Sequence, residues 1–469
     1  VTHFASRYRS ACRDLAVDQI LGPSLAVDVQ AGRFSAGADA YLAGRMAVAF
    51  LRGMRGDSPA DCVLACAGGF VAQSLQAAEP GSADSDKNRV RIGRRELREV
   101  YAEPYAAAIR EAGLAAVVVA DLTIDGVPTV GAREVLGDLL RDNLGYRGLV
   151  ISVEGGIRNL VERHRVAGDL SEAAIAALTA GTDIDLTDSC FREELPVAVA
   201  DGSVSEETLD RAVRRVLQCK LQSGLFDRAA VADAGEVTEQ STLTPPFEAS
   251  AASLHEAGSV LLTNAGELLP LAKGSMLRVA ESSGGLLISA LQAQDFNVSP
   301  LSLDAAAASP SASDGRAVAI VCFGAVAASS APAVETMKQL QLLDELAEQR
   351  IPAVVILNAD ALDYATRLTN RAAAILIAWD FSLGSMRAAA GVLSGAVNPS
   401  GRLPLALPAV TASASDTQSF CFGHGLSYSH FEYRELHCAD TVDTHGAVEV
   451  AIEVVNESTV GGVEVVQLY

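Results

Sequence analysis

The sequence predicts an α/β fold, and three observations predict it. Short apolar runs alternate with amphipathic ones across residues 1–228, the same alternation resumes across 253–408, and a polar stretch separates the two. Strand–helix repetition of this kind indicates parallel layers or a barrel, because each crossover helix covers the sheet it has just left. With 469 residues, 49% of them hydrophobic, and a mean hydropathy of +0.24, the chain has length and apolar content for large cores. The length corresponds to two to four domains at about 100–200 residues each.

In the first region the strand-like runs are Ile20–Val29, Cys62–Ala67, Ala115–Leu122, Gly148–Val153 and Thr182–Leu186. Helical runs lie between them, and Tyr105–Ala112 and Ala132–Asn143 carry charge on one face and apolar residues on the other. Residues 229–252 hold Asp233, Glu236, Glu239 and Pro245-Pro246, the composition of a linker. In the second region the strands are Ser259–Leu262, Ala317–Phe323, Ala353–Leu357 and Ala374–Ala378, with Ala305–Ser313 a low-complexity loop. A β-rich piece begins near 427: Glu449–Asn456 alternates like a half-buried strand, and Gly462–Tyr469 starts another.

A net charge of −22 and a pI near 4.7 argue against nucleic acid or an anionic membrane surface as partner, since both require clustered Lys and Arg. No run reaches the ~18 apolar residues that span a bilayer, so membrane insertion is not expected. The eight cysteines follow no framework spacing, and most sit in apolar stretches such as Cys62-Val-Leu-Ala-Cys66. Such cysteines read as buried thiols, which favours a reducing compartment without naming one. Cys62 and Cys66 lack two further ligands at zinc spacing, and no metal or other cofactor is indicated.

Several segments in order resemble glycoside hydrolase family 3, the β-glucosidase/β-xylosidase family. Arg95-Glu-Leu-Arg-Glu-Val-Tyr-Ala-Glu-Pro-Tyr105 is similar to its "LREIYLPPF", Asp125-Gly-Val-Pro128 to "NGVP", and Leu139–Val153 to "LRxxxGFxGxVVSD". Val204–Asp227 is similar to "VSExxIDxAVRRVLxxKxxxGLFD", and Leu261–Pro270 to "LLKNEGGLLP". Asn398-Pro-Ser-Gly-Arg-Leu-Pro404, Phe422-Gly-His-Gly-Leu-Ser-Tyr428 and Gly462–Tyr469 resemble "NPSGRLP", "FGYGLSY" and "GxEVVQLY". The resemblance implies a (β/α)8 TIM-like barrel over 1–228, an α/β sandwich over 253–426, and the start of a fibronectin type III β-sandwich over 427–469. Its first matched element, Ala5–Val29, corresponds to the family's third barrel region. The opening strands of the barrel are therefore expected outside this sequence, because an open barrel exposes strand edges.

The same resemblance implies a retaining mechanism, which needs two carboxyl groups about 5–5.5 Å apart. The family's nucleophile is the Asp of "VSDW"; here Val150-Ile-Ser-Val-Glu-Gly-Gly156 puts Val153 there, and valine has no lone pair. Glu154 is the substitute to weigh, but consecutive strand residues face opposite ways and a one-residue step moves Cα by about 3.8 Å. The bland role for Glu154 is a solvated carboxylate. The acid/base Glu of the family's "EGEGxDR" loop corresponds to Gly324–Val334, which contains no carboxylate before Glu335. Sugar-holding groups are altered too: "KHF" becomes Gly68-Gly69-Phe70, "SYN" becomes Ala120-Asp121-Leu122, and "RDPRWGR" is reduced to Asp28–Arg33. His424 replaces a Tyr and reads as a turn residue, and Trp379 as packing.

Frame motifs are thus retained while strand-end polar groups are gone. The sequence therefore predicts a pseudoenzyme serving as a structural or interaction subunit, whose partners are other protein subunits. Two alternatives stay open: a retaining O-glycosyl hydrolase with relocated carboxylates, and a carbohydrate-binding protein, the latter disfavoured by Gly68 and Gly69.

Overall fold

The computed structural model describes residues 1–27, 37–77, 89–226, 245–281, 283–303, 317–324, 332–407, 419–439, 441 and 443–468. The chain divides into two compact units, Val1–Ser250 and Ala251–Tyr469, each with its own sheet.

In the first unit, α1 (Thr2–Asp14), β1 (Gln19–Ser24), α2 (Ala40–Arg55), β2 (Leu64–Phe70) and β3 (Arg89–Val90) come first. Then follow α3 (Arg94–Glu96), a π-helical turn over Leu97–Tyr101, α4 (Glu103–Ala112), β4 (Ala116–Val119), β5 (Thr123–Ile124) and β6 (Val127–Pro128). A π-helical segment over Glu134–Asn143, β7 (Leu149–Ile151), α5 (Asn159–Glu162), α6 (Leu170–Ala180), α7 (Cys190–Ala200) and α8 (Glu206–Gln222) complete it. Strands β1, β2, β4 and β7 form a parallel sheet in that order. Ile184 extends it by a single parallel bridge to Ile151, so the run Thr182–Leu186 pairs at one point rather than as a strand.

Both faces of this sheet are covered, which explains why its strands read as continuous apolar runs. Ala65, Ala67, Val117, Val119 and Val150 face one side and join the large core built with α2, α4 and α6. Leu64, Cys66, Ala116, Leu149 and Ile151 face the other, where Cys219 and Val216 of α8 pack on them. Helix starts are written locally. Asp39 accepts a hydrogen bond from the Leu42 N–H at 2.6 Å ahead of α2, and Asp169 does the same for Glu172 at 2.9 Å ahead of α6.

One ion network ties α8 to the sheet. Asp183 accepts from Arg141 Nη2 at 2.8 Å, Arg215 Nη1 at 2.6 Å and the Val150 N–H at 2.9 Å. Its side chain is 1% exposed.

The second unit contains α9 (Pro245–Gly258) from Ala251 on, then β8 (Val260–Asn264), β9 (Met276–Ala280), α10 (Leu286–Gln292), β10 (Asn297–Pro300) and β11 (Val318–Phe323). After these come α11 (Pro332–Glu348), β12 (Ala353–Asn358), α12 (Ala365–Leu368), β13 (Ala374–Trp379), α13 (Leu383–Ser394), β14 (Phe431–Cys438) and β15 (Val450–Asn456). Six strands form one sheet in the order β10-β9-β11-β12-β13-β8, parallel except for β13–β8. β14 and β15 pair antiparallel by themselves.

Three expectations change here. The stretch assigned to a linker, 229–252, is helical from Pro245 on, as the start of a helix over Pro245–Gly258, and its part over 229–244 lies outside the described residues. β9 and β10 were not anticipated. Gly462–Tyr469 forms no strand over its described part, 462–468. Side-chain bonds hold that segment instead: Arg402 Nη2 to Glu464 at 2.6 Å, and Gln467 Nε2 to the Gly423 carbonyl at 3.2 Å.

Candidate functional site

In parallel α/β sheets, chemistry gathers beyond the carboxyl ends of the strands. In the first unit those ends are Gly68-Gly69 in the last residues of β2, Ala120-Asp121 after β4, Ser152-Val153-Glu154 after β7, and Asp185 after the Ile184 bridge. Residues 28–33 and the loop 325–331, both named from the sequence, lie outside the described residues.

Val153 is half-buried and Glu154 exposed. The Val153 carbonyl accepts the Gly156 N–H at 2.9 Å, closing a tight turn directly after β7. Ser152 beneath it is buried and takes the Leu186 N–H on its Oγ at 3.0 Å.

The two glycines of β2 are not equivalent. A Cβ at Gly68 would meet nothing within 4 Å, so the position could host a side chain, and its carbonyl accepts the Tyr105 hydroxyl at 2.6 Å. Gly69 has φ +77°, and a Cβ there would lie 2.2 Å from Gln73 Oε1. Gly69→Ala is therefore expected to destabilise the chain by about 1–3 kcal/mol. Gly68→Ala should be neutral or stabilising by up to about 1 kcal/mol. Urea midpoints of the two variants check this, and equal midpoints would contradict it.

Asp121 is the centre of a cluster. Its Oδ1 lies 2.8 Å from His164 Nε2, and its Oδ2 accepts from Asn159 Nδ2 at 2.9 Å and Arg163 Nη1 at 3.1 Å. Asn159 and Arg163 are four apart on the segment that begins as α5, so both reach one carboxylate. Burial pushes the Asp121 carboxyl up, but the His164 hydrogen bond, the charges of His164 and Arg163, and the Asn159 amide outweigh it and hold it below its usual range. Because the folded value is depressed, Asp121 contributes stability above the ordinary aspartate pKa of about 3.9 and loses it as pH falls through the folded value. Asp121→Asn should consequently cost stability at neutral pH, and the gap to the unaltered chain should narrow below about pH 4. Urea unfolding at several pH values tests this; a constant gap contradicts it.

Asp185 is a third carboxylate at these ends, in addition to Asp121 and the exposed Glu154. Its Oδ2 accepts the Phe191 N–H at 3.2 Å, next to the start of α7. Its Oδ1 is buried and without a hydrogen-bond partner among the described residues. Burial raises its pKa and the nearby Asp188 charge adds to the rise, while the Phe191, Cys190 and Asp188 N–H groups oppose it. A carboxyl in this state can hold a proton nearer neutrality than an ordinary Asp.

His164, Asn159, Arg163 and Asp185 were not singled out from the sequence, although Asn159 and Arg163 share a helical face and Asp185 ends a strand-like run. His424 Nε2 lies 2.9 Å from the Leu262 carbonyl, and Trp379 Nε1 donates to the Gly258 carbonyl at 2.6 Å; both are packing contacts of the second unit. Among the described residues, no three His, Cys, Asp or Glu side chains assemble as metal ligands, and no helix is long and apolar enough to cross a membrane.

The first unit is a parallel α/β sheet with Asp121 and Asp185 at its strand ends, and a second α/β unit follows it in the chain. The chain belongs to glycosyl hydrolase family 3: the family's N terminal domain matches residues 1–219 and its C-terminal domain residues 259–428. It is 26% identical to the Beta-xylosidase of Formosa agariphila, over all of this chain and 75% of that protein. It is 27% identical to the Lysosomal beta glucosidase of Dictyostelium discoideum, over 92% of this chain and 62% of that one. The fold matches the crystal structure of beta-glucosidase from Listeria innocua in complex with isofagomine with a TM-score of 0.80, at 23% identity, over 97% of this chain and 74% of that one.

Proposed function

We propose that this chain is a family 3 protein that does not hydrolyse glycosides and serves as a structural or interaction subunit for other protein chains. In this reading the first unit is the later part of a (β/α)8 barrel, the next an α/β sandwich to about residue 426, and 427–469 the start of a fibronectin type III-like domain. The observation that carries the reading is Val153. In this reading an aliphatic side chain stands where the family has its attacking carboxylate, and Glu154 beside it is exposed to solvent. Gly68, Gly69 and the hydrogen-bonded Asp121 stand where sugar-holding groups belong, which also speaks against a sugar-binding role.

The test of the subunit role is purification of the full chain from its source. A stable complex of fixed stoichiometry supports it, and a monodisperse monomer with no co-purifying chain opposes it. The competing reading is hydrolysis with relocated groups. Asp185 favours it, because a raised pKa and an unpartnered buried oxygen suit a general acid.

A further inference from the structure

A cleft of about 430 Å³ opens beside the Asp121 cluster, between the small sheet β3–β5–β6 and the segment that carries Arg163 and His164. Both walls come from strand ends: β5 follows β4 through Asp121, and the Arg163 segment follows β7. Three of the lining side chains are arginines. Arg89, Arg91, Arg163 and His164 line the cleft, and Asp125 is the one carboxylate among its lining residues. In a chain with net charge −22 such a concentration is not expected from average composition.

The placement has local causes. Arg89 and Arg91 are two apart, so strand alternation puts them on the same face of β3 and its extension. β3 is held by pairing Arg89 with Thr123 and Val90 with Ile124, and by the Asp125 N–H donating to the Val90 carbonyl at 2.9 Å. On the opposite wall, Asp121 fixes His164 Nε2 and Arg163 Nη1 from behind. Side chains held in advance lose less freedom when a ligand arrives. Arg91 is exposed and makes no ion pair among the described residues.

We propose that this cleft binds a small organic anion of monosaccharide size, carrying a carboxylate or a phosphate group. The guanidinium fork matches the oxygens of either group, and two or three such forks around one cleft recognise an oxyanion rather than a neutral hydroxyl compound. The volume falls within the usual range for small-molecule sites. The site does not depend on hydrolysis and is the same whether the chain is a non-catalytic subunit or a hydrolase. Asp121 acts here as a positioning residue.

The test is calorimetric titration of the full chain with glucuronate, glucose 6-phosphate, inorganic phosphate and glucose. Saturable binding of glucuronate or of the phosphates, weakening with added salt and absent for glucose, is the expected result. Preference between glucuronate and the phosphates identifies which anion the site takes. Arg91→Ala should weaken the preferred anion about tenfold or more, the value of one charge-assisted hydrogen bond. Arg91→Lys should recover part of that loss, since charge returns without the planar fork. Because Arg91 is exposed, the alanine variant should keep its fold, which circular dichroism verifies. The proposal is overturned if no anion binds, if glucose binds as well as glucuronate and glucose 6-phosphate, or if Arg91→Ala binds as the unaltered chain does.

Discussion

Offered an aryl β-glucoside or aryl β-xyloside, the full chain is expected to release the aryl alcohol no faster than buffer alone. Retaining hydrolysis divides a hard displacement into two steps through a covalent intermediate, and the intermediate requires an attacking oxygen. Val153 supplies none. Removing a single member of a catalytic unit can cost about 10⁴–10⁶ in rate, and further losses add little because the group works as a unit. The same non-additivity predicts that Val153→Asp alone restores no measurable turnover. In the inactive reading the restored carboxylate would still lack the sugar-holding groups that Gly68 and Gly69 replace. Of these, Gly68 has room for a side chain and Gly69 does not. Turnover above buffer that vanishes in Glu154→Gln or Asp185→Asn would sink the inactive reading and install the relocated hydrolase.

Asp183→Ala is expected to lower the stability of the first unit by about 3–5 kcal/mol, the cost of breaking a buried ion pair by removing one partner. Arg141 is the reason. Burial already presses its pKa downward and Asp183 is the main opposing charge, while Arg215 presses it further down. Without Asp183, two guanidinium groups remain together and the Val150 N–H loses its side-chain acceptor. Asp183→Asn keeps an oxygen for that N–H and should fall between the two. The urea midpoint measures all three, and a shift corresponding to less than about 1 kcal/mol for alanine would show that the network is solvated rather than structural.

Much of the frame is legible along the chain because its signals are local. Runs such as Ala353–Leu357 and Ala374–Ala378 are apolar on both faces, which marks buried parallel strands, and both are strands. Two strands of the second unit that the sequence did not announce carry the opposite signal. Met276–Ala280 contains Arg278, and Asn297–Pro300 is polar and ends in proline because β10 lies at the sheet edge. Gly462–Tyr469 has the alternation of a strand but no ladder over its described part. Alternation fixes which face a side chain takes and says nothing about whether a neighbour is present.

The sequence by itself determined the α/β class, the family, and the valine and glycines at strand ends, since each depends on residue identity or short-range periodicity. Only the tertiary structure decided what became of Asp121. Its three partners are 38, 42 and 43 residues away and meet it because β4 and β7 end side by side. The same docking sets Arg163 and His164 opposite Arg89 and Arg91. Such encounters depend on how strand ends are stacked, and local periodicity carries no record of that stacking.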